Sequence, residues 1–127
     1  QTASTPEGIG PGLAMTEALK MAGLEPSDIG FINTHGTGTQ VNDLAETNAM
    51  SRVFEGCIPM FSSVKPYIGH TLGASEGIEA ALVCKALESN DFGFMTGLVG
   101  IPVGTKHAMS SAFGFSGNCV SLIFSRV

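Results

Sequence analysis

Apolar positions along this chain recur at a helical spacing in three stretches and as short runs in four others. Between Pro6 and Gly23 they fall at Leu13, Ala14, Ala18, Leu19 and Met21 or Ala22, which predicts a helix. Thr5 suits an N-cap with Pro6 in the first turn, and Gly23 suits the stop. Gly8, Gly10 and Gly12 weaken the first half, so the firm helix is expected from near Pro11. Glu25 to Asp28 reads as a turn. Ile29 to Thr34 reads as a strand ending at His35, with a tight loop over Gly36 to Thr39. Asn42 or Asp43 then caps a helix running to about Phe54, with Leu44, Ala45, Ala49, Met50 and Val53 as its apolar positions. Ile58 to Val64 is a second strand, followed by a loop from Lys65 to Gly69. A long helix is expected from about Leu72 to Leu87, with Ala74, Ile78, Ala81, Leu82, Lys85 and Ala86 near one face. Ser89 to Lys106 is irregular. Strands over Ala108 to Ala112 and Cys119 to Ser125 close the chain, with a turn over Gly114 to Gly117.

Helices alternating with strands argue for a layered α/β domain with right-handed crossovers. The 127 residues suffice for one domain, and no repeat or linker divides them. Composition narrows the picture. Charged residues make up 13% against a usual share of about 25%, and mean hydropathy is +0.28. Disorder and a long coiled coil are therefore excluded. The net charge is −5 and the six Lys and Arg are scattered, so nucleic acid is not an expected partner. No apolar run approaches the roughly 20 residues that span a bilayer, so no membrane partner is expected either. Glycine is abundant, at 17 residues. The few charges leave little to cover the surface, which suggests a face buried against another chain or further sequence. Cys57, Cys84 and Cys119 are too few for a stapled secreted fold, so reduced thiols and a cytoplasmic setting are expected. A chain that opens on Gln1 with no leader is expected to be processed, or cut from a longer one.

Three segments carry candidate chemistry. Thr34-His35-Gly36-Thr37-Gly38-Thr39 lies where a strand hands over to a helix, the position at which α/β sheets bind ligands. Its glycines allow close backbone approach, its threonines offer hydrogen bonds, and a histidine can donate or accept a proton near pH 7. The same residues also fit an ordinary tight turn with a satisfied histidine. A dinucleotide-binding turn is disfavoured, because Val41 stands where that fingerprint needs Gly or Ala. Lys65 and His70 stand just before a helix N-terminus, where the dipole favours anions and a neutral imidazole that can stabilise an enolate. Taken singly, Lys65 reads more simply as a surface charge and His70 as a helix cap. Phe113-Gly114-Phe115-Ser116-Gly117 places two aromatics in a turn able to form a flap, or a hairpin turn with core aromatics. His35, His70 and His107 are far apart, with no C-x-x-C or H-x-x-x-H spacing, so no metal site is expected.

These three motifs, in this order, resemble the C-terminal half of the β-ketoacyl-acyl-carrier-protein synthases, members of the thiolase-like superfamily. Thr34 to Thr39 with Asn42-Asp43 and Glu46 is similar to the first histidine motif. Ser63-Val64-Lys65 with Gly69 to Ala74 is similar to the lysine and second histidine motif. Phe113 to Gly117 with Ser121 to Phe124 is similar to the gate loop and last strand. The resemblance covers nearly the whole chain. It implies a thiolase-like α/β half, with helices packed on a mixed sheet of five-strand type, and decarboxylative condensation of a malonyl thioester with an acyl thioester. His35 and His70 would hold the malonyl thioester oxygen, and Lys65 and Glu46 would order the site through a charge pair. Thr37 and Thr39 would contact the phosphopantetheine arm. Phe115, beside Gly114, would gate the acyl pocket and lend its N–H to an oxyanion hole. No cofactor of the chain's own is implied, since the arm belongs to the acyl carrier protein. Implied partners are that carrier, the N-terminal half with its cysteine nucleophile, and a second subunit in a homodimer or heterodimer. None of Cys57, Cys84 or Cys119 has the nucleophile's context, so residues 1–127 are expected to form one C-terminal domain that cannot condense alone. The chain departs from the family at Ser75-Glu76, at Ser116, at Asn118-Cys119 and in a short 89–106 segment. A non-condensing partner of the chain-length-factor type is the alternative. An unrelated nucleotide-binding domain comes third.

Overall fold

The computed structural model describes residues 8–36, 40–62, 75–89, 105–113 and 119–126. Their elements are α1 (Ile9–Ala22), a single 3-10 turn (Pro26–Asp28), β1 (Phe31–Asn33), α2 (Gln40–Val53), β2 (Met60–Ser62), α3 (Ser75–Ser89), β3 (His107–Phe113) and β4 (Cys119–Ser125). The four strands form one mixed sheet in the order β2-β1-β3-β4. β1 runs parallel to β2 and β3, and β4 returns antiparallel to β3. Among the described residues this is a four-stranded sheet, mixed as expected.

Side chains alternate across a strand, so each face of the sheet collects its own core. On one face Ile32 and its register neighbours Met109 and Ile123 meet Met15 and Leu19 of α1 and Ala49, Met50 and Phe54 of α2 or its end. On the other face Phe31, Ala108 and Phe124 meet Val83, Ala86 and Leu87 of α3. β1 is therefore covered on both sides and all three of its residues are buried, as a central parallel strand requires. Among the described residues no helix is long and apolar enough to cross a membrane.

Two helices differ from the sequence expectation in which face turns inward. On α1 the expected core residues Leu13 and Met21 are 61% and 88% exposed, while Met15 is fully buried. The inward stripe is Pro11, Gly12, Met15 and Leu19. Its small end exists because α1 approaches α2 closely there. Gly8 lies against the Ala45 carbonyl and Ala49, and the Arg52 guanidinium donates to the Gly8 carbonyl oxygen at 2.9 Å. The glycines thus serve a close contact, and α1 starts at Ile9, earlier than their weak helix propensity suggests. On α3 the buried positions are Glu79, Val83, Ala86 and Leu87, while Ile78, Ala81 and Lys85 are exposed. The helical period is as expected but its phase is turned by one residue, because a carboxylate occupies an inward position. Helix α3 is described from Ser75, and the expected start near Leu72 lies outside the described residues. Strand β2 is three residues long, and the part of the expected strand beyond Ser62 lies outside the described residues.

Gly8 and Gly23 cap opposite ends of α1 with nearly the same left-handed φ, 67° and 68°. An added Cβ collides with the Ala45 carbonyl at Gly8, but has nothing within 4 Å at Gly23. Gly23→Ala is expected to cost about 1 kcal/mol, the left-handed penalty alone. Gly8→Ala should cost at least about 2 kcal/mol more, because backbone must move. Urea unfolding of the two variants measures the difference, and equal losses would mean the α1–α2 contact is not tight.

Candidate active site

Strand β1 delivers Thr34, His35 and Gly36 to one edge of the sheet, and all but Gly36 are buried. Gly36 has a left-handed φ of 47°, which turns the chain away from the strand direction. The turn exposes two successive backbone N–H groups to α2, and Glu46 accepts both. The His35 N–H donates to Oε2 at 2.6 Å and the Gly36 N–H to Oε1 at 3.1 Å. Glu46 is buried among Ala45, Ala49 and Met50 on the inward face of α2. A carboxylate there needs donors, and two N–H groups from one turn meet that need. The result is a fixed backbone at His35. The clamp acts on the main chain. The Lys65 pairing that the resemblance implies for Glu46 falls outside the described residues.

A second polar cluster lies on the α3 side. Asn33 Nδ2 donates to Glu79 Oε1 at 2.9 Å and to Ser110 Oγ at 3.1 Å, with Asn33 and Glu79 essentially sealed from solvent. Ser110 is the register partner of Asn33 on β3. Sequence reasoning missed all three residues. The available signal was a polar side chain inside an apolar stretch: Asn33 after Phe31-Ile32, and Glu79 between Ile78 and Ala80-Ala81.

β1, β2 and β3 are parallel, so the chain leaves Asn33, Ser62 and Phe113 at the same edge of the sheet. The three sequence motifs begin at those exits. A cleft of about 390 Å³ lies at this edge, lined by Thr34, Gly36, Asp43, Glu46, Thr47, Met50 and Phe61. Of the site residues expected from sequence, His35 and Glu46 are brought together here. Lys65, His70, Thr37, Thr39, Gly114 and Phe115 lie outside the described residues.

Cys119 pairs with Phe113 at this edge, but none of the three cysteines has a nucleophile's setting. Cys57 and Cys84 are exposed, and Cys119 is half-buried at the start of β4, beside Gly10 of α1. Burial pushes the Cys119 thiol above its ordinary value, the opposite of what an attacking thiolate needs. Among the described residues no group of three or more His, Cys, Asp or Glu is placed to hold a metal ion.

With this geometry in hand, comparison with known proteins gives a consistent answer. The family described as beta-ketoacyl synthase, C-terminal domain, matches residues 1–92, and the chain belongs to that family. The 3-oxoacyl-acyl-carrier-protein synthase 2 of Mycobacterium tuberculosis is 34% identical over 138 residues, covering 98% of this chain and 33% of that protein. A ketosynthase solved with its chain length factor from Xenorhabdus doucetiae superposes with a TM-score of 0.86 at 37% identity, covering 99% of this chain and 35% of that one. A type II polyketide synthase acyl carrier protein in complex with its ketosynthase, bound to the hexaketide, gives 0.86 at 27% identity, with 99% and 35% covered. The chain therefore spans about a third of the length of the relatives it matches. The fold class is the thiolase-like α/β half that the resemblance implied.

Two outcomes follow from the geometry. Glu46→Gln keeps one acceptor and turns an NH2 toward an N–H. It should cost about 1–3 kcal/mol and speed hydrogen exchange at the His35 and Gly36 amides more than at those of β3. Alkylation of Cys119 should lag behind that of Cys57 and Cys84 near neutral pH. The lag should shrink as pH rises through the raised Cys119 value and its thiolate forms. Mass-spectrometric mapping of iodoacetamide adducts reads both the order and the pH trend.

Proposed function

We propose that residues 1–127 form a single C-terminal domain that supplies the enolate-stabilising half of a β-ketoacyl synthase. The observation that carries this reading is the buried His35, placed at the exit of β1 by Glu46 within a chain of this family. In the proposed reaction the malonyl Cα–carboxylate bond breaks and carbon dioxide leaves. The electron pair becomes the enolate, whose thioester oxygen accepts hydrogen bonds from His35 and His70. Neutral imidazoles suit that role, donating N–H without a competing charge. The enolate carbon then attacks the acyl thioester, and the cysteine thiolate leaves. That cysteine belongs to an N-terminal half outside residues 1–127. Lys65 and Glu46 order the site, Thr37 and Thr39 hold the phosphopantetheine arm, and Gly114-Phe115 gates the acyl pocket and completes the oxyanion hole.

The partners in this reading are an acyl carrier protein, the N-terminal half and a second subunit, in the cytoplasm. The complex of a carrier protein with its ketosynthase among the structural relatives supports the first. A relative solved as ketosynthase plus chain length factor keeps a second reading alive, in which the chain is part of a non-condensing partner subunit. Retention of His35, Lys65 and His70 favours the condensing member.

The test joins this chain to a ketosynthase N-terminal half and follows carbon dioxide release from malonyl-carrier protein. His35→Ala and His70→Ala should each lower the rate by about 100- to 1,000-fold, the usual effect of removing one oxyanion donor. Unchanged decarboxylation in both would exclude the condensing assignment.

A further inference from the structure

We propose that Asn33 is a positioning residue for the reaction described above, acting through the carboxylate of Glu79. The inference rests on that reading of the site, and it begins from the bonding of one amide. Both hydrogens of Asn33 Nδ2 have acceptors, one to Glu79 Oε1 and one to Ser110 Oγ. The orientation of the amide is therefore set. Its Oδ1 is buried and has no hydrogen-bond donor among the described residues. A buried acceptor in that state costs stability, but an apolar residue there would strip Glu79 Oε1 and Ser110 Oγ of the donor they share. The arrangement earns its place only by what it does to its neighbours.

What it does is join three elements at the site edge. Asn33 ends β1, two residues before His35. Glu79 is in the second turn of α3, and Ser110 is on β3 in register with Asn33. With Oε1 engaged by Asn33, the plane of the Glu79 carboxylate is fixed, and so is the direction in which its second oxygen accepts. The cluster holds β1 and α3 at one separation, so the His35 backbone is set from below by Asn33 and from the side by Glu46. Asn33 does not itself meet substrate, because it is fully buried beneath the strand exit.

Two substitutions perturb this bond with opposite signs of pH dependence, which a simple packing defect would not do. Asn33→Asp places a second carboxyl against Glu79. The pair then shares a proton with a raised apparent value, and the protonated form restores an O–H donor to Glu79. Activity should survive at low pH and fall as pH rises through that value. Asn33→Leu removes the donor without adding charge, so the charged form of the Glu79 carboxyl loses one hydrogen bond, and activity should fall as pH is lowered. Other titratable groups on the surrounding described elements are His35 after β1, Asp43, Glu46 and Arg52 on α2, His107 at the far end of β3, Cys119 on β4 and Arg126 after it, and Glu76, Cys84, Lys85 and Glu88 on α3. They are common to both variants and cannot produce opposite limbs.

The experiment measures kcat and KM for malonyl-carrier decarboxylation against pH in the joined enzyme, beside His35→Ala. Each Asn33 variant is expected to lose about 10- to 100-fold in kcat on its sensitive side, the scale of a lost charge-assisted hydrogen bond, with KM within about twofold. Wild-type kcat and pH profile in both variants, or an equal loss at every pH, would overturn the inference. If Asn33→Asp does not fold, Asn33→Leu decides alone, an acid limb supporting the inference and an unshifted profile overturning it. An inactive His35→Ala with unperturbed Asn33 variants would defeat this inference and spare the proposed function. A fully active His35→Ala, with His70→Ala equally active, would defeat the proposed function itself.

Discussion

Strand β1 is only three residues long and has helices on both of its faces, so no water reaches it. Every polar group that it carries or leads into must find a partner inside the protein, or cost stability. That constraint shapes the neighbouring elements. The amide of Asn33 draws Glu79 of α3 and Ser110 of β3 together. The N–H groups of His35 and Gly36 draw Glu46 inward from α2. Two carboxylates that a local reading would place on the surface therefore become internal, one on each helix that flanks the strand exit.

The same crowding explains the small residues of α1. Gly8 and Gly12 let the helix lie against Ala45 and Ala49 of α2, and the contact sets where α2 begins its approach to the site. Because α2 carries Glu46 four residues before Met50, seating Met50 in the core also seats the carboxylate under the His35 turn. Packing and site geometry are thus the same event. This is why a fold that is ordinary in its layers still delivers one histidine at a defined height above the sheet.

The chain belongs to the β-ketoacyl synthase C-terminal family, and the proposed function gives these features a chemical purpose. Decarboxylative condensation needs hydrogen-bond donors whose positions do not drift while charge develops on the thioester oxygen. In the proposed reading, a histidine whose backbone is held by a buried carboxylate meets that need. The thiol inventory is equally telling, since two cysteines are exposed and the third is raised by burial. The chain spans about a third of its relatives' length, and in the proposed reading the nucleophile comes from the remainder.

Much of the architecture is legible in the residues alone. The order of helices and strands, the close of α1 at Gly23, the span of β4 and the placing of His35 at a strand exit follow from periodicity and turn chemistry, which are written in neighbouring residues. Glu46 was legible only through the family motif, and its actual bond, to two backbone N–H groups, was not legible at all. The inward faces of α1 and α3 were misjudged for a related reason. Local pattern gives the period of a helix, but its rotation depends on what packs against it. Glu79 reads as an outward residue until Asn33, 46 positions away, offers a donor. Ser110 enters the same cluster from 77 positions away. A buried polar residue is stable only with its partner, and such distant partners are brought together only by the completed sheet. The sequence by itself determined the elements, their order and the motif at the end of β1. Only the tertiary structure decided which carboxylates would stand beneath it.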